Sequence, residues 1–183
     1  MSASLDIALI SRKYRDVFGA TLKPAFETYM HCGPHAKRGA ALGYQRAEEQ
    51  PLFLERYLEQ PIEQAVSEAL GRTVARPQIV EIGNFAADNA LAMVELWGAA
   101  ANDLGKSGEV AVATLTAPLR RMFARIGLPV TVVAPARPDC LDADARAWGS
   151  YYDLDPQVCV GLIAEGQSAI AAFLQRRRER QAA

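Results

Sequence analysis

The side chain best placed for chemistry is Glu81, in the run Gln78-Ile79-Val80-Glu81-Ile82-Gly83-Asn84-Phe85-Ala86. Val80 and Ile82 desolvate its carboxyl, which disfavours the charged form and moves the pKa up toward the range where a general base works at neutral pH. A carboxylate on a buried strand must also find a partner, so a structural ion pair with Arg46 or Arg56 is the competing reading. Asn84 stands three residues along. In a regular strand it faces away from Glu81, but a bulge at Gly83 turns it to the same side, where its amide or nearby N–H groups can donate to an oxygen gaining charge. Otherwise Asn84 merely ends the strand. Glu81 and Asn84 are the expected catalytic residues.

Around them, Arg46 and Arg56 each offer a planar two-pronged donor suited to a carboxylate, against the alternative of salt bridges with Glu48, Glu55 or Glu59. Phe53, Leu54 and Tyr57 either line an apolar tunnel or belong to the core. Trp148, Tyr151 and Tyr152 either close over the site or pack down their own loop. The expected substrate lining comprises Arg46, Phe53, Glu55, Arg56 and Tyr57, with Phe85, Trp148 and Tyr151. His31, Cys32 and His35 stand in His-Cys-Gly-Pro-His, which invites a Cys-His dyad or a metal site. No third or fourth ligand is near in sequence, so a chance cluster is preferred and no metal is expected.

The elements that must hold these residues follow from periodicity. Pro61 to Gly71 encloses Ile62, Ala65, Val66, Ala69 and Leu70 at helical spacing. Asp88 is expected to cap a second helix, with Ala90, Met93, Val94, Trp97, Ala100, Ala101 and Leu104 on its apolar face until Gly105. Between the two lies the strand bearing Glu81. Residues 109–114 read as a strand, Leu119 to Ile126 as a helix face closing at Gly127, and 130–134 as a strand, which together predict a compact parallel β-α-β unit. Asp155-Pro156 is expected to open a final helix containing Cys159, Leu162, Ile163, Ile170 and Phe173, after an aromatic-bearing loop over 135–153. In the N-terminal third, 5–18 suggests a helix, and 21–31 and 39–46 strands, while 51–58 is lid, loop or short helix.

The chain has 183 residues, of which 50% are hydrophobic and 22% charged, enough for one self-supporting domain. Within this single domain the N-terminal part is 1–75, the strand-helix-strand part 76–175, and 176–183 a frayed tail. Twenty Lys+Arg against 21 Asp+Glu leave a formal charge of −1, and no basic stripe crosses the middle, so a nucleic-acid partner is not expected. The Arg176–Arg180 run is read as a solvated tail or a contact for an acidic partner. Three scattered cysteines, the lack of an export signal and the lack of a long uncharged apolar run give a cytoplasmic protein without a transmembrane segment as the expectation. Oligomeric state is left open.

Four segments carry a resemblance over roughly residues 10–170: GYQRAEEQPLFLERYLEQPIEQAV (43–66), RPQIVEIGNFA (76–86), ATLTAPLRRMFARIGLPVTVVAPA (113–136) and WGSYYDLDP (148–156). Together they resemble the bacterial thermostable hemolysin family. The order of elements is also similar to the second half of the GNAT superfamily of N-acyltransferases, and more narrowly to the acyl-homoserine-lactone synthases. That resemblance implies an α/β (α+β) fold, a mixed sheet flanked by helices, with central strands 78–86 and 109–114 splayed around a pantetheine arm. It implies an acyltransferase that moves a fatty acyl group from a thioester to the amine of a small acceptor such as an amino acid. No permanently bound cofactor is implied; the donor is acyl-phosphopantetheine on an acyl carrier protein, or acyl-CoA. Acetyl-CoA users carry a Gly-rich pyrophosphate loop before the long helix, where this chain has Phe85-Ala86-Ala87-Asp88-Asn89, so a carrier protein fits better than free CoA. The family name supplies the alternative, a haemolytic, membrane-active protein.

Overall fold

The computed structural model describes residues 2–21, 24, 26–32 and 39–182, so His35 lies outside the described residues. The chain runs α1 (Ser2–Phe18), β1 (Thr28–Cys32), β2 (Ala40–Arg46), a short 3₁₀ helix (Phe53–Tyr57), α2 (Ile62–Leu70), a 3₁₀ turn (Arg76–Gln78) and β3 (Ile79–Ala87). It continues with α3 (Ala90–Leu104), β4 (Val110–Leu115), α4 (Ala117–Ile126), β5 (Thr131–Pro135), a broken 3₁₀ segment (Pro138–Leu154), β6 (Gln157–Leu162) and α5 (Ile163–Ala182). Six strands form one mixed sheet in the order β1-β2-β3-β4-β6-β5. Helices α3, α4 and α5 cover one face through Trp97, Leu104, Phe123 and Ile170. The other face is covered by α2 and the 3₁₀ segments 53–57 and 138–154 over Ile79, Val112 and Val160, and by α1 through Ile10 and Tyr14.

β3 and β4 are the parallel pair at the centre, and they stay paired only at Ile79–Val110, Val80–Ala111 and Glu81–Val112. Beyond Glu81 they part, as the resemblance implies. β3 then holds only to β2, and there it bulges: Gly43 faces Gly83 while Ala41 faces Ala86, so β3 spends one more residue than β2 over the same span. Asn84 absorbs that residue at φ 53. The extra residue lets β3 curve away from β4 while keeping its antiparallel bonds.

Two expectations are corrected. Residues 157–162 form a strand, not the start of the last helix, and this strand lies between β4 and β5, antiparallel to both. The predicted β-α-β unit of 109–134 therefore holds two strands that are not neighbours. The adjacent parallel pair is joined instead by α3. Secondly, Asn89 rather than Asp88 caps α3, its side chain accepting from Ala92 N–H at 2.9 Å. Asp88 turns back to Gly39 N–H and to Lys13 and Arg12, and the Lys13 ammonium first of all holds its carboxyl below the usual range.

Candidate active site

The splay and the bulge together open a cavity of about 250 Å³ on the α1 side of the sheet. Its base is Glu81, only 3% exposed. One carboxyl oxygen accepts from Phe53 N–H at 2.8 Å and the other from Leu54 N–H at 3.2 Å, so the carboxyl sits on the open N-terminal end of the 3₁₀ helix. Those two bonds favour the ionised form, but burial outweighs them, and Glu55 nearby adds repulsion. The pKa is pushed up to about 8. Neither Arg46 nor Arg56 pairs with it, which removes the structural ion pair anticipated from sequence.

The bulge settles which neighbours share the cavity. Asn84 lines it beside Glu81. By the same one-residue shift Phe85 is sent to the opposite face, where its ring meets Trp97 edge-on at 6.0 Å. Gly43 and Gly83, facing each other across β2 and β3, leave room for the Phe26 ring: a Cβ at Gly83 would come within 2.8 Å of it, and one at Gly43 within 2.7 Å. The Tyr29 hydroxyl lies beside the Asn84 side chain without meeting full hydrogen-bond geometry.

The roof comes from the 3₁₀ segment 138–154, which is broken at Asp142 and Gly149, both at positive φ. At Gly149 (φ 56) a Cβ would lie 2.0 Å from the Phe18 carbonyl oxygen, so only glycine lets the chain cross the end of α1. That crossing delivers Trp148 and Tyr151 over the cavity, with rings 5.0 Å apart and Trp148 also 5.7 Å from Phe53. Tyr57 closes one side, its hydroxyl 2.7 Å from that of Tyr152. Arg56 stands at the mouth over the Phe53 ring and is paired with Asp144 at 3.1 Å.

Of the residues expected from sequence, Glu81, Asn84, Phe53, Arg56, Tyr57, Trp148 and Tyr151 thus meet at one cavity. Three do not join them. Arg46 donates to Ser107 Oγ at 2.7 Å. Glu55 is clamped by Arg76, whose two terminal nitrogens reach its two oxygens at 2.7 and 2.8 Å, and it also accepts from Leu52 and Ile62 N–H. That clamp, through the Arg76 hydrogen bonds first, holds its pKa at about 2. Phe85 is lost to the bulge.

Sequence reasoning missed Tyr14, Phe26, Gln45 and Thr114, which also line the cavity. Phe26 left a trace only in Gly43 and Gly83, the two glycines that make room for its ring. Thr114 is the more informative. Its hydroxyl is buried with no hydrogen-bond partner among the described residues, and it stands on β4 past the point of separation. It borders both this cavity and a second one of about 420 Å³, which is lined by Phe85, Ala90, Met93, Leu119 and Met122 among others and lies at the C-terminal ends of β3 and β4. The cavity that holds the acid and a more apolar one leading outward therefore meet at Thr114, with Tyr14 and Tyr151 also shared between them. Cys32 is turned away, donating to the Ala92 carbonyl at 3.2 Å, and His31 lies 3.3 Å from Asp6.

The six-stranded mixed sheet flanked by helices matches the GNAT-like fold of the acyl-homoserine lactone synthases. BjaI, a CoA-dependent acyl-homoserine lactone synthase solved with MTA, superposes with TM-score 0.60 at 12% identity, covering 95% of this chain and 81% of that one. FeeM, an N-acyl amino acid synthase from uncultured soil microbes, gives 0.56 at 12% identity over 92% of this chain and 94% of its own. TofI in an apo form gives 0.56 at 17% identity over 93% and 91%. At these identities the likeness is one of fold. The chain belongs to the thermostable hemolysin family, whose pattern matches residues 4–167. No curated protein matches the sequence.

Proposed function

We propose that this protein is an N-acyltransferase that moves a fatty acyl group from a phosphopantetheine thioester, on a carrier protein or CoA, to the amine of a small acceptor such as an amino acid. The observation that carries the proposal is the coincidence of the β3–β4 splay with Glu81 and Asn84 at one cavity. Unpaired strand backbone in the gap suits the amides of a pantetheine arm, and the apolar second cavity suits an acyl chain. The fold shared with an N-acyl amino acid synthase and with lactone synthases supports the same class.

In this reaction the amine nitrogen bonds to the thioester carbonyl carbon, and the proton it sheds goes to Glu81 directly or through a water. The carbonyl oxygen becomes an oxyanion, for which the Asn84 amide and the Thr114 hydroxyl are the available donors. Collapse breaks the C–S bond, and the sulfur leaves as a thiol with a proton returned from Glu81. Trp148, Tyr151 and Tyr57 exclude water that would hydrolyse the thioester. Arg56 at the mouth is the donor for an acceptor carboxylate, at the expense of its pairing with Asp144. The haemolytic alternative gains nothing from the helices: among the described residues, none is long and apolar enough to cross a membrane.

The test is thiol release from acyl-pantetheine thioesters across a panel of amines. Release that depends on one class of amine supports the transferase. Amine-independent release, or none with any acyl length, contradicts it.

A further inference from the structure

The Arg176-Arg177-Arg178-Glu179-Arg180 run has no part in the site described above. Helix α5 packs on the core as far as Phe173 and Leu174, and then carries this run into solvent, every side chain from 175 to 182 exposed. Glu179 accepts from Gln175 at 3.0 Å, and among the described residues no ion pair is made by any of the four arginines. One or two cations at a helix C-terminus complement its dipole; four in five positions exceed that need.

Where the run lies follows from helix register. α5 runs antiparallel along α3, with Ile163 against Gly105, Gln167 donating to the Ala101 carbonyl at 2.9 Å, and Ile170 against Gly98. Each step up α5 matches an equal step down α3, so the same register brings Arg178 level with Ala90. Asn89 and Ala90 line the second cavity, at the open end of the splay. The N-termini of α3 and α4 end on the same cavity with their positive dipole ends, and Lys13 stands on its rim. Asp88, the acid nearest that end, is neutralised by Lys13 and Arg12. An otherwise balanced protein therefore concentrates positive charge where a donor must enter.

We propose that Arg176, Arg177, Arg178 and Arg180 form a docking strip for an acidic carrier protein that presents the donor thioester at the mouth of the splay. The inference rests on the acyltransferase reading and names its partner. Successive helix residues turn by about 100°, so these guanidinium groups point around the helix rather than converging, which suits long-range capture of an acidic protein face better than a fitted phosphate pocket. Residues 85–89 hold no glycine with which to grip a CoA pyrophosphate. A membrane-lying helix would carry large apolar side chains opposite its arginines, and none of residues 175–183 is one.

The test compares the full chain with its R176Q/R177Q/R178Q/R180Q variant. Three readouts are taken: binding of a bacterial acyl carrier protein loaded with a fatty acyl chain, binding to phosphatidylglycerol vesicles, and acyl transfer from acyl-pantetheine. We expect wild-type carrier affinity to fall steeply between about 50 and about 200 mM salt, and the variant to bind about tenfold more weakly with a flattened salt response. Transfer from acyl-pantetheine should be unchanged. Equal carrier affinity in the two proteins overturns the docking strip, as does arginine-dependent binding of vesicles with no binding of carrier. If the arginines bind carrier but neither donor is consumed, docking stands and the acyltransferase reading falls.

Discussion

At the scale of single residues, burial makes the Glu81 carboxyl a weak acid. Its proton must be off for it to act as a base, so kcat/KM should rise as pH passes through about 8. Glu81→Gln should lower it by about 10²- to 10⁴-fold and remove that rise; a pH–rate profile of both proteins checks this. Stability runs the other way. The folded carboxyl keeps its proton up to about 8 while an unfolded one loses it near the ordinary 4.5, so the folded state holds more protons in between and stability falls as pH climbs through that window. Thermal melts across that range should show the fall in the wild type and not in Glu81→Gln. Thr114 gives a second contrast. Its hydroxyl has no partner among the described residues, so Thr114→Val should leave the melting temperature unchanged or raise it, while kcat for acyl transfer falls; a lower melting temperature with unchanged kcat would make Thr114 structural. Glu81 was legible in the sequence because a lone acid between β-branched neighbours is anomalous. Asn84 and Phe85 were not separable, because one bulge residue exchanges which of them faces the cavity.

At the scale of elements, the site depends on two local irregularities. The parting of β3 from β4 needs the bulge at Asn84, and the roof needs Gly149. Gly149→Ala meets both a strained φ and the Phe18 carbonyl, so it should displace Trp148 and Tyr151, lower stability by about 1–3 kcal/mol and raise the rate of thioester hydrolysis over transfer. Denaturant melts and product ratios measure the two effects. The Glu55–Arg76 clamp ties the 3₁₀ helix to α2 and β3 and so holds the N–H groups that face Glu81. With its pKa held at about 2 in the fold, Glu55 contributes fully above the ordinary 4.5 and loses that contribution as pH falls toward 2. Arg76→Ala should therefore destabilise at neutral pH by about 1–3 kcal/mol, with a smaller penalty near pH 2. Helices α2, α3 and α4 and the central strands could be read from periodicity, since their Pro, Gly and apolar spacing agree. β6 could not. Val158, Cys159 and Val160 are all buried, and a short unbroken apolar run is as compatible with the helix that follows as with a strand, while Cys159, Leu162 and Ile163 supplied a misleading helical spacing. The roof was legible only as aromatic content, because its path is set by Gly149 against α1, a contact between segments far apart in the chain.

At the scale of the whole molecule, two cavities meet at Thr114 between the separated strands. One holds the buried acid under a roof of aromatic rings, and the other is the more apolar and lies at the C-terminal ends of β3 and β4. Under the proposed function, that layout gives acceptor and donor separate routes to one point. It also offers a route to the family's name without a membrane-spanning helix: an N-acyl amino acid is a surfactant, so lysis would belong to the product. Red cells should then survive purified protein alone and lyse when acyl donor and amine are added. Mass spectrometry of the amide formed from an acyl thioester and a labelled amine, by wild type and Glu81→Gln side by side, tests the central claim most directly. The account predicts a labelled N-acyl product matched one for one by released thiol in the wild type and nearly absent in the variant. Equal product from both proteins, or lysis by the protein with no thioester consumed, would contradict it.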